Sequence, residues 1–149
     1  VYHQIKHLSK NHDVYLCVVS REKLSDGAKD ALEKISKGLY VYQSQWSSVL
    51  ANLMVSLFSG LPFQVGYFYN SGADLYIKKI IDRVKPDHVF VQLLRMAEYV
   101  KGLNGIPKTL DYMDSFSMGM KRREQSEKSI KKWLYGIENR NLEKYEDLY

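Results

Sequence analysis

Short β-rich runs alternate along this chain with stretches whose apolar residues recur at helical spacing. In each run, apolar β-branched and aromatic side chains follow one another almost without interruption, as in strands that are covered on both faces. Turn signals such as "NHD", "KPD" and "GIP" precede them. The four predicted strands cover residues 14–19, 39–43, 88–92 and 108–113.

Helices are predicted between these strands. Asp26 is the expected N-cap of the helix after the first strand, and Gly38 its expected stop. The aromatic segment "PFQVGYFYN" shows no clear period and is predicted to be irregular. A basic helical tract, broken near Gly136, fills the chain after the last strand. The predicted helices cover residues 1–10, 25–37, 47–58, 73–84 and 96–101.

Strands that alternate with helices through short connections indicate an α/β fold with a doubly wound, Rossmann-like parallel sheet. The 149 residues suffice for one such domain. The opening helix is unusual, because domains of this kind normally begin with a strand. We therefore expect the first strand of the sheet to be missing from this chain.

The composition is that of a folded domain, with 45% hydrophobic and 26% charged residues. The net charge of +5 suits anionic lipid headgroups, phosphorylated substrates or nucleic acid and does not choose among them. Cys17, the only cysteine, lies among apolar neighbours and is expected to be a buried small side chain in a reducing, cytoplasmic setting. The longest apolar stretch, residues 48–58, is shorter than a membrane span.

Signatures of cofactor sites are missing from the sequence. It contains neither a G-x-G-x-x-G loop nor a G-x-x-x-x-G-K-[ST] loop, and its histidines lack zinc-site spacing. We therefore expect no bound cofactor and no metal.

Ligands of open parallel sheets bind beyond the carboxyl ends of the strands. Arg95 and Met96 follow the third predicted strand here, and Asp114, Ser115 and Ser117 follow the fourth. Carboxylates accept hydrogen bonds from hydroxyls, and the arginine fork matches phosphate oxygens. This set of side chains therefore suits a hydroxyl-rich or phosphorylated ligand.

Structural roles compete with ligand binding at these positions. Asp114 or Ser115 is well placed to cap the following helix, a role that does not exclude ligand contact. Asp111 falls within a predicted strand, where burying a carboxylate is costly unless the group is hydrogen-bonded. It is therefore either an acid held by hydrogen bonds within the fold or a functional acid.

The stretch "KRREQSEKSIKK" resembles a nucleic-acid patch at first reading. However, Glu124 with Lys128 and Glu127 with Lys131 are spaced as i,i+4 ion pairs. The pattern therefore favours a solvated helix face, with contact to an anionic membrane surface as the second interpretation.

Three stretches together resemble a known family: "RMAEYV", "KTLDYMDSFSMGMKRR" and "IENRNLEKYE". They are similar to the amino-terminal domain of bacterial GT-B glycosyltransferases. The likeness is greatest to the retaining, glycogen-phosphorylase-like group that acts in envelope and exopolysaccharide synthesis. The opening 20 residues resemble the helix after that family's first loop and its second strand, and "GLPFQVGYFYN" resembles a further family segment.

The resemblance implies that residues 1–149 form part of an acceptor-side domain, with the donor-binding domain absent from this chain. The parent enzyme would transfer a sugar from a nucleotide-sugar to a glycan or lipid-linked acceptor in cell-surface polysaccharide synthesis. The piece alone would be inactive. The parent enzyme would be located in the cytoplasm, either free or bound peripherally at the inner face of the membrane.

The resemblance also implies candidate acceptor-binding residues, which lie in two family motifs after consecutive strands. Gln92 occupies a position where many family members have histidine, so we name no catalytic residue. Glu138 and Glu146 show the E-x7-E spacing linked to donor binding in this group, but without its glycine-rich context we expect a coincidence. The acceptor-binding candidates are Arg95, Met96, Glu98, Asp111, Asp114, Ser115 and Ser117.

Two other functions remain open on the sequence. One is a non-catalytic α/β binding or regulatory domain, although "VYLCVVSR" lacks the clustered acids of a receiver-like first strand. The other is a basic nucleic-acid-binding domain, which salt-dependent binding to DNA or RNA would support. The paired acids on the basic helix count against it, so we expect no nucleic-acid partner.

Overall fold

A computed structural model describes residues 2–44, 54, 56, 60–112, 116–129 and 131–148. The chain divides into two compact units, one from residues 1–46 and 70–84, the other from 47–69 and 85–149. Helices and strands alternate through both. In chain order the elements are α1 (Tyr2–Leu8), β1 (Tyr15–Ser20), α2 (Asp26–Glu33), β2 (Gly38–Gln43), α3 (Phe63–Phe68), α4 (Ser71–Val84), β3 (Val89–Gln92), a 3-10 helix (Leu94–Tyr99), β4 (Lys108–Asp111), α5 (Phe116–Ser126) and α6 (Lys131–Glu146).

In the first unit, β1 and β2 pair in parallel, from Tyr15 opposite Gly38 to Ser20 opposite Gln43. Helix α2 is capped by Ser25, whose hydroxyl accepts the N–H of Ala28 at 3.3 Å, so the predicted cap at Asp26 is wrong. Gly38 does not end α2 either, because the helix stops at Glu33 and Gly38 begins β2. Helix α4 buries one apolar stripe, Ala73, Ile77 and Ile80.

In the second unit, β3 and β4 pair in parallel, from Val89 opposite Lys108 to Gln92 opposite Asp111. The apolar core lies between the 3-10 helix and helices α3, α5 and α6. An α/β fold with parallel pairing is thereby confirmed. Among the described residues the strands form two separate two-stranded sheets, and one doubly wound sheet remains a proposal. The buried core residues are Val65, Leu94, Ala97, Met120, Leu142 and Tyr145.

Two predictions about helices are wrong. The segment "PFQVGYFYN" is not irregular, since Phe63–Phe68 form α3. The basic tract does not break at Gly136, which lies inside the 16-residue helix α6; it breaks after Ser126, where α5 ends. The predicted helix over residues 47–58 falls almost wholly outside the described residues.

The break after Ser126 also changes the surroundings of the predicted ion pairs. Glu127 follows the end of α5, and its carboxylate accepts the N–H groups of Lys128 and Ser129, both at 3.1 Å. A hydrogen bond from the Ser129 side chain, together with these two N–H groups, lowers the pKa of Glu127. Neither Glu124 with Lys128 nor Glu127 with Lys131 comes within salt-bridge distance, although the charge of Lys131 contributes to the lowered pKa of Glu127.

Cys17 lies on the exposed side of β1, and the prediction of a buried thiol is wrong. Neighbouring atoms nevertheless crowd the sulfur, and this desolvation raises its pKa to about 11. The thiol is therefore protonated at neutral pH. Across the described ranges, no helix is both long and apolar enough to pass through a membrane.

Candidate functional site

The carboxyl ends of β3 and β4 lie side by side and bring two sequence-predicted positions together. Gln92 is paired with Asp111, and the N–H of Leu93 donates to the Asp111 carbonyl at 2.8 Å. Asp111 is half-buried at this end of the sheet. The acid thus lies next to Gln92, the residue that stands where the resembled family often has histidine.

The chain leaves β3 through a strained backbone conformation at Leu93. Its φ of 75° and ψ of 132° lie in a region that non-glycine residues rarely adopt. The 3-10 helix that carries Arg95 and Met96 begins at the next residue. Strain of this kind is concentrated at functional sites, where the surrounding structure maintains it.

Replacing Leu93 with glycine should give a more stable protein than replacing it with alanine. Both variants lose the leucine side chain, but only glycine relieves the positive φ, so L93G should exceed L93A by about 1 kcal/mol in urea unfolding. The matched pair at Lys79, an exposed position inside α4, should show the ordinary order, with alanine the more stable. Equal stabilities of L93G and L93A would show that Leu93 is unstrained.

Arg95 is a half-buried cation at this end of the sheet. Its guanidinium carbon lies 3.9 Å from the centroid of the Phe68 ring, and desolvation lowers its pKa without discharging it. No carboxylate of the described chain forms a salt bridge with Arg95. Stacking occupies the face of the guanidinium and leaves its N–H edges for an anionic or carbonyl acceptor.

The aromatic segment of α3 supports Arg95. The Tyr99 hydroxyl donates to the Phe68 carbonyl at 2.9 Å, and the Tyr69 and Tyr99 rings stack with centroids 5.4 Å apart. Tyr99 is almost fully buried. Phe68 is thereby fixed beneath the guanidinium, a role that the sequence did not reveal.

Two candidate residues hold the structure together. Glu98 accepts a hydrogen bond from the Tyr145 hydroxyl at 2.8 Å. Ser117 is buried, and its N–H and hydroxyl donate to the Glu146 carboxylate at 3.1 and 2.6 Å. Met96, also half-buried, stays on the 3-10 helix, whereas Asp114 and Ser115 lie outside the described residues. Arg95 is therefore the strongest candidate for ligand contact, and Asp111 is a second candidate because of its position at the paired strand ends.

The E-x7-E pair of α6 caps two other helices. Glu138 accepts the N–H groups of Phe63 and Gln64, at 2.7 and 3.1 Å, at the start of α3, where the N-cap residue Pro62 has no side-chain acceptor. Glu146 caps α5 through Ser117. Burial raises the pKa of Glu138 against the opposing effect of the two N–H donors. Sequence spacing gave no signal for these roles, because each carboxylate meets a helix far away along the chain.

Comparisons with known proteins identify no relative. No family model, no curated protein and no solved structure matches this chain. In the described ranges, no group of three or more histidine, cysteine or acidic side chains is arranged to bind a metal ion. The site is thus defined by its own chemistry: the guanidinium of Arg95 stacked on Phe68, and an acid, Asp111, at the paired ends of β3 and β4.

Proposed function

We propose that this chain is part of the acceptor-side domain of a GT-B glycosyltransferase of the retaining, glycogen-phosphorylase-like group. The parent transfers a sugar from a nucleotide-sugar to a glycan or lipid-linked acceptor in cell-surface polysaccharide synthesis. It works in the cytoplasm or peripherally at the inner face of the membrane. The observation that carries the proposal is the Arg95 guanidinium, stacked on Phe68 beside the paired ends of two parallel strands.

Each candidate residue has a distinct role in this proposal. Arg95 holds the phosphate of a lipid-linked acceptor through two parallel N–H···O bonds. Asp111 orients an acceptor hydroxyl. The fold that we propose for this domain is a doubly wound, Rossmann-like parallel sheet.

The donor side of the reaction belongs to the parent's second domain. Glu138 and Glu146, the pair with donor-motif spacing, are engaged in capping α3 and α5. Transfer requires groups that stabilise the departing diphosphate, and these come from the donor domain. The chain by itself is therefore inactive.

Arg95→Gln should weaken binding of a short-chain isoprenyl diphosphate sugar by about 10- to 100-fold. The variant removes a desolvated charge whose hydrogen bonds to phosphate contribute about 1.5–3 kcal/mol. Isothermal titration calorimetry measures the loss. Arg83→Gln, at an exposed arginine of α4, is the matched control and should bind as the unmodified chain does. Equal affinities of the two variants would contradict the role of Arg95.

UDP- and GDP-sugars should leave the melting temperature of this chain unchanged. A ligand that binds the folded state raises the melting temperature, and the donor site lies in the other domain. A clear rise measured by calorimetry would contradict the assignment to the acceptor side.

Nucleic-acid binding is the second candidate. The observation that favours it is a row of exposed cations on α5, Lys121, Arg122 and Arg123, for which the described residues show no salt bridge. Affinity for single-stranded RNA or DNA that falls steeply with salt would support this function.

A further inference from the structure

A second candidate site lies in the groove between α5 and α6, away from Arg95. The groove has a volume of about 480 Å³, within the range of small-molecule sites. Its walls combine two cations, one acid, a hydroxyl, an amide and an indole. The residues that provide these groups are Lys132, Arg140, Glu124, Ser129, Asn139 and Trp133.

Asn139 gives the groove an unsatisfied acceptor. It is the most buried of the lining residues, with 7% of its surface exposed, and its amide nitrogen donates to Glu143 at 3.2 Å. Its Oδ1 atom is buried, and no group of the described chain donates to it. Because buried polar atoms are nearly always hydrogen-bonded, this oxygen points to a ligand that carries a donor.

The other walls define what else the ligand carries. Trp133 is 64% exposed, so its ring face is open to solvent. Lys132 and Arg140 offer N–H donors to an anion. Gly136 has no side chain, and the Glu124 carboxylate lies 2.9 Å from where its Cβ would be, which brings a second acceptor against α6.

We propose that this groove binds an acidic saccharide with a uronic acid residue. The partly positive C–H face of a sugar ring stacks on the negative face of the Trp133 indole. A sugar hydroxyl donates to Asn139 Oδ1, and another donates to Glu124. The uronate carboxylate accepts from Arg140 and Lys132.

The proposal is independent of the acceptor site at the ends of β3 and β4, because the two sites share no residue. It goes beyond the proposed function by giving the chain a place that holds a polysaccharide away from the reacting end. If binding at one of the two sites is not observed, binding at the other site is still tested by its own variants.

Titration calorimetry with a galacturonic acid tetramer tests the site. We expect saturable binding, and at least tenfold weaker binding of the uncharged methyl ester. Trp133→Ala and Arg140→Gln should each weaken binding of the tetramer at least tenfold, and both residues are exposed, so folding is retained. Leu134→Ala and Lys144→Gln, exposed positions on the same helix that do not line the groove, should leave the affinity unchanged.

Asn139→Leu tests the hydrogen bond to Asn139 Oδ1 separately from the charges of Arg140 and Lys132. It removes the unsatisfied oxygen in a side chain of similar size and should weaken the acid tetramer and its ester by the same factor. Equal binding of acid and ester, or binding that the groove variants do not change, would overturn the proposal. Tighter, salt-dependent binding of single-stranded nucleic acid or anionic vesicles through the same residues would also overturn it.

Discussion

Leu142→Ala is expected to lower the free energy of unfolding of the second unit by about 2–5 kcal/mol. Leu142 is 1% exposed and lies in the core cluster with Leu94 and Tyr145. Truncation removes buried apolar surface and leaves a cavity among neighbours that cannot close around it. Since a domain of this size has about 5–15 kcal/mol in total, the variant should be close to unfolding at 37 °C.

Urea unfolding followed by circular dichroism measures this effect. Leu134→Ala, an exposed leucine of the same helix, controls for helix propensity and should change the free energy by less than about 1 kcal/mol. Similar losses in both variants would mean that α6 does not pack through Leu142.

Glu138→Ala is expected to destabilise the protein by about 2–4 kcal/mol. It removes both acceptors from the N-terminus of α3 and leaves the N–H groups of Phe63 and Gln64 in a part-buried place without a partner. Glu138→Gln keeps one carbonyl acceptor and should lose about half as much. Asp147→Asn, an exposed acid just beyond α6, should have little effect.

Chemical denaturation at neutral pH measures the free energy of unfolding of the three variants and so gives their order of stability. A loss in Glu138→Ala no greater than in Asp147→Asn would show that α3 forms without its distant cap. Arg95 would then lack the fixed support of Phe68, so the result bears on the site as well as on stability.

The titration of Glu138 should make this effect depend on pH. Burial raises its pKa above the ordinary value of 4.5, so between 4.5 and the raised pKa the folded state binds more protons than the unfolded state. The part of the stability that depends on protonation of Glu138 is present in full below pH 4.5 and is lost as the pH rises through the folded pKa, while the carboxylate still accepts both N–H groups at neutral pH. Glu138→Gln cannot titrate, so its deficit relative to the unmodified chain should shrink as the pH rises.

The strands were predicted well because their signal is local. Continuous β-branched and aromatic runs placed β1, β2 and β3 within a residue or two of their positions. Helix α3 was missed for a non-local reason. Its six residues are too few to form a helix alone, and its N-terminus is capped by Glu138, which follows more than 70 residues later.

The site was predictable in position but not in detail. Arg95 and Asp111 follow from the rule that ligands bind at the carboxyl ends of parallel strands. The sequence could not separate them from Glu98 and Ser117, because only the fold brings Tyr145 to one and Glu146 to the other. The predicted Glu127–Lys131 pair failed because Glu127 caps the turn that separates α5 from α6.

Chemical-shift mapping with the isoprenyl diphosphate sugar shows whether this ligand binds at the ends of β3 and β4. We expect the largest shifts on the Arg95 side chain and on the amides of Leu93 and Asp111, and we expect Arg95→Gln to need about 10- to 100-fold more ligand for the same amide shifts. Shifts confined to β1 and β2, with Arg95 and Asp111 unmoved, would contradict an acceptor site at the ends of β3 and β4.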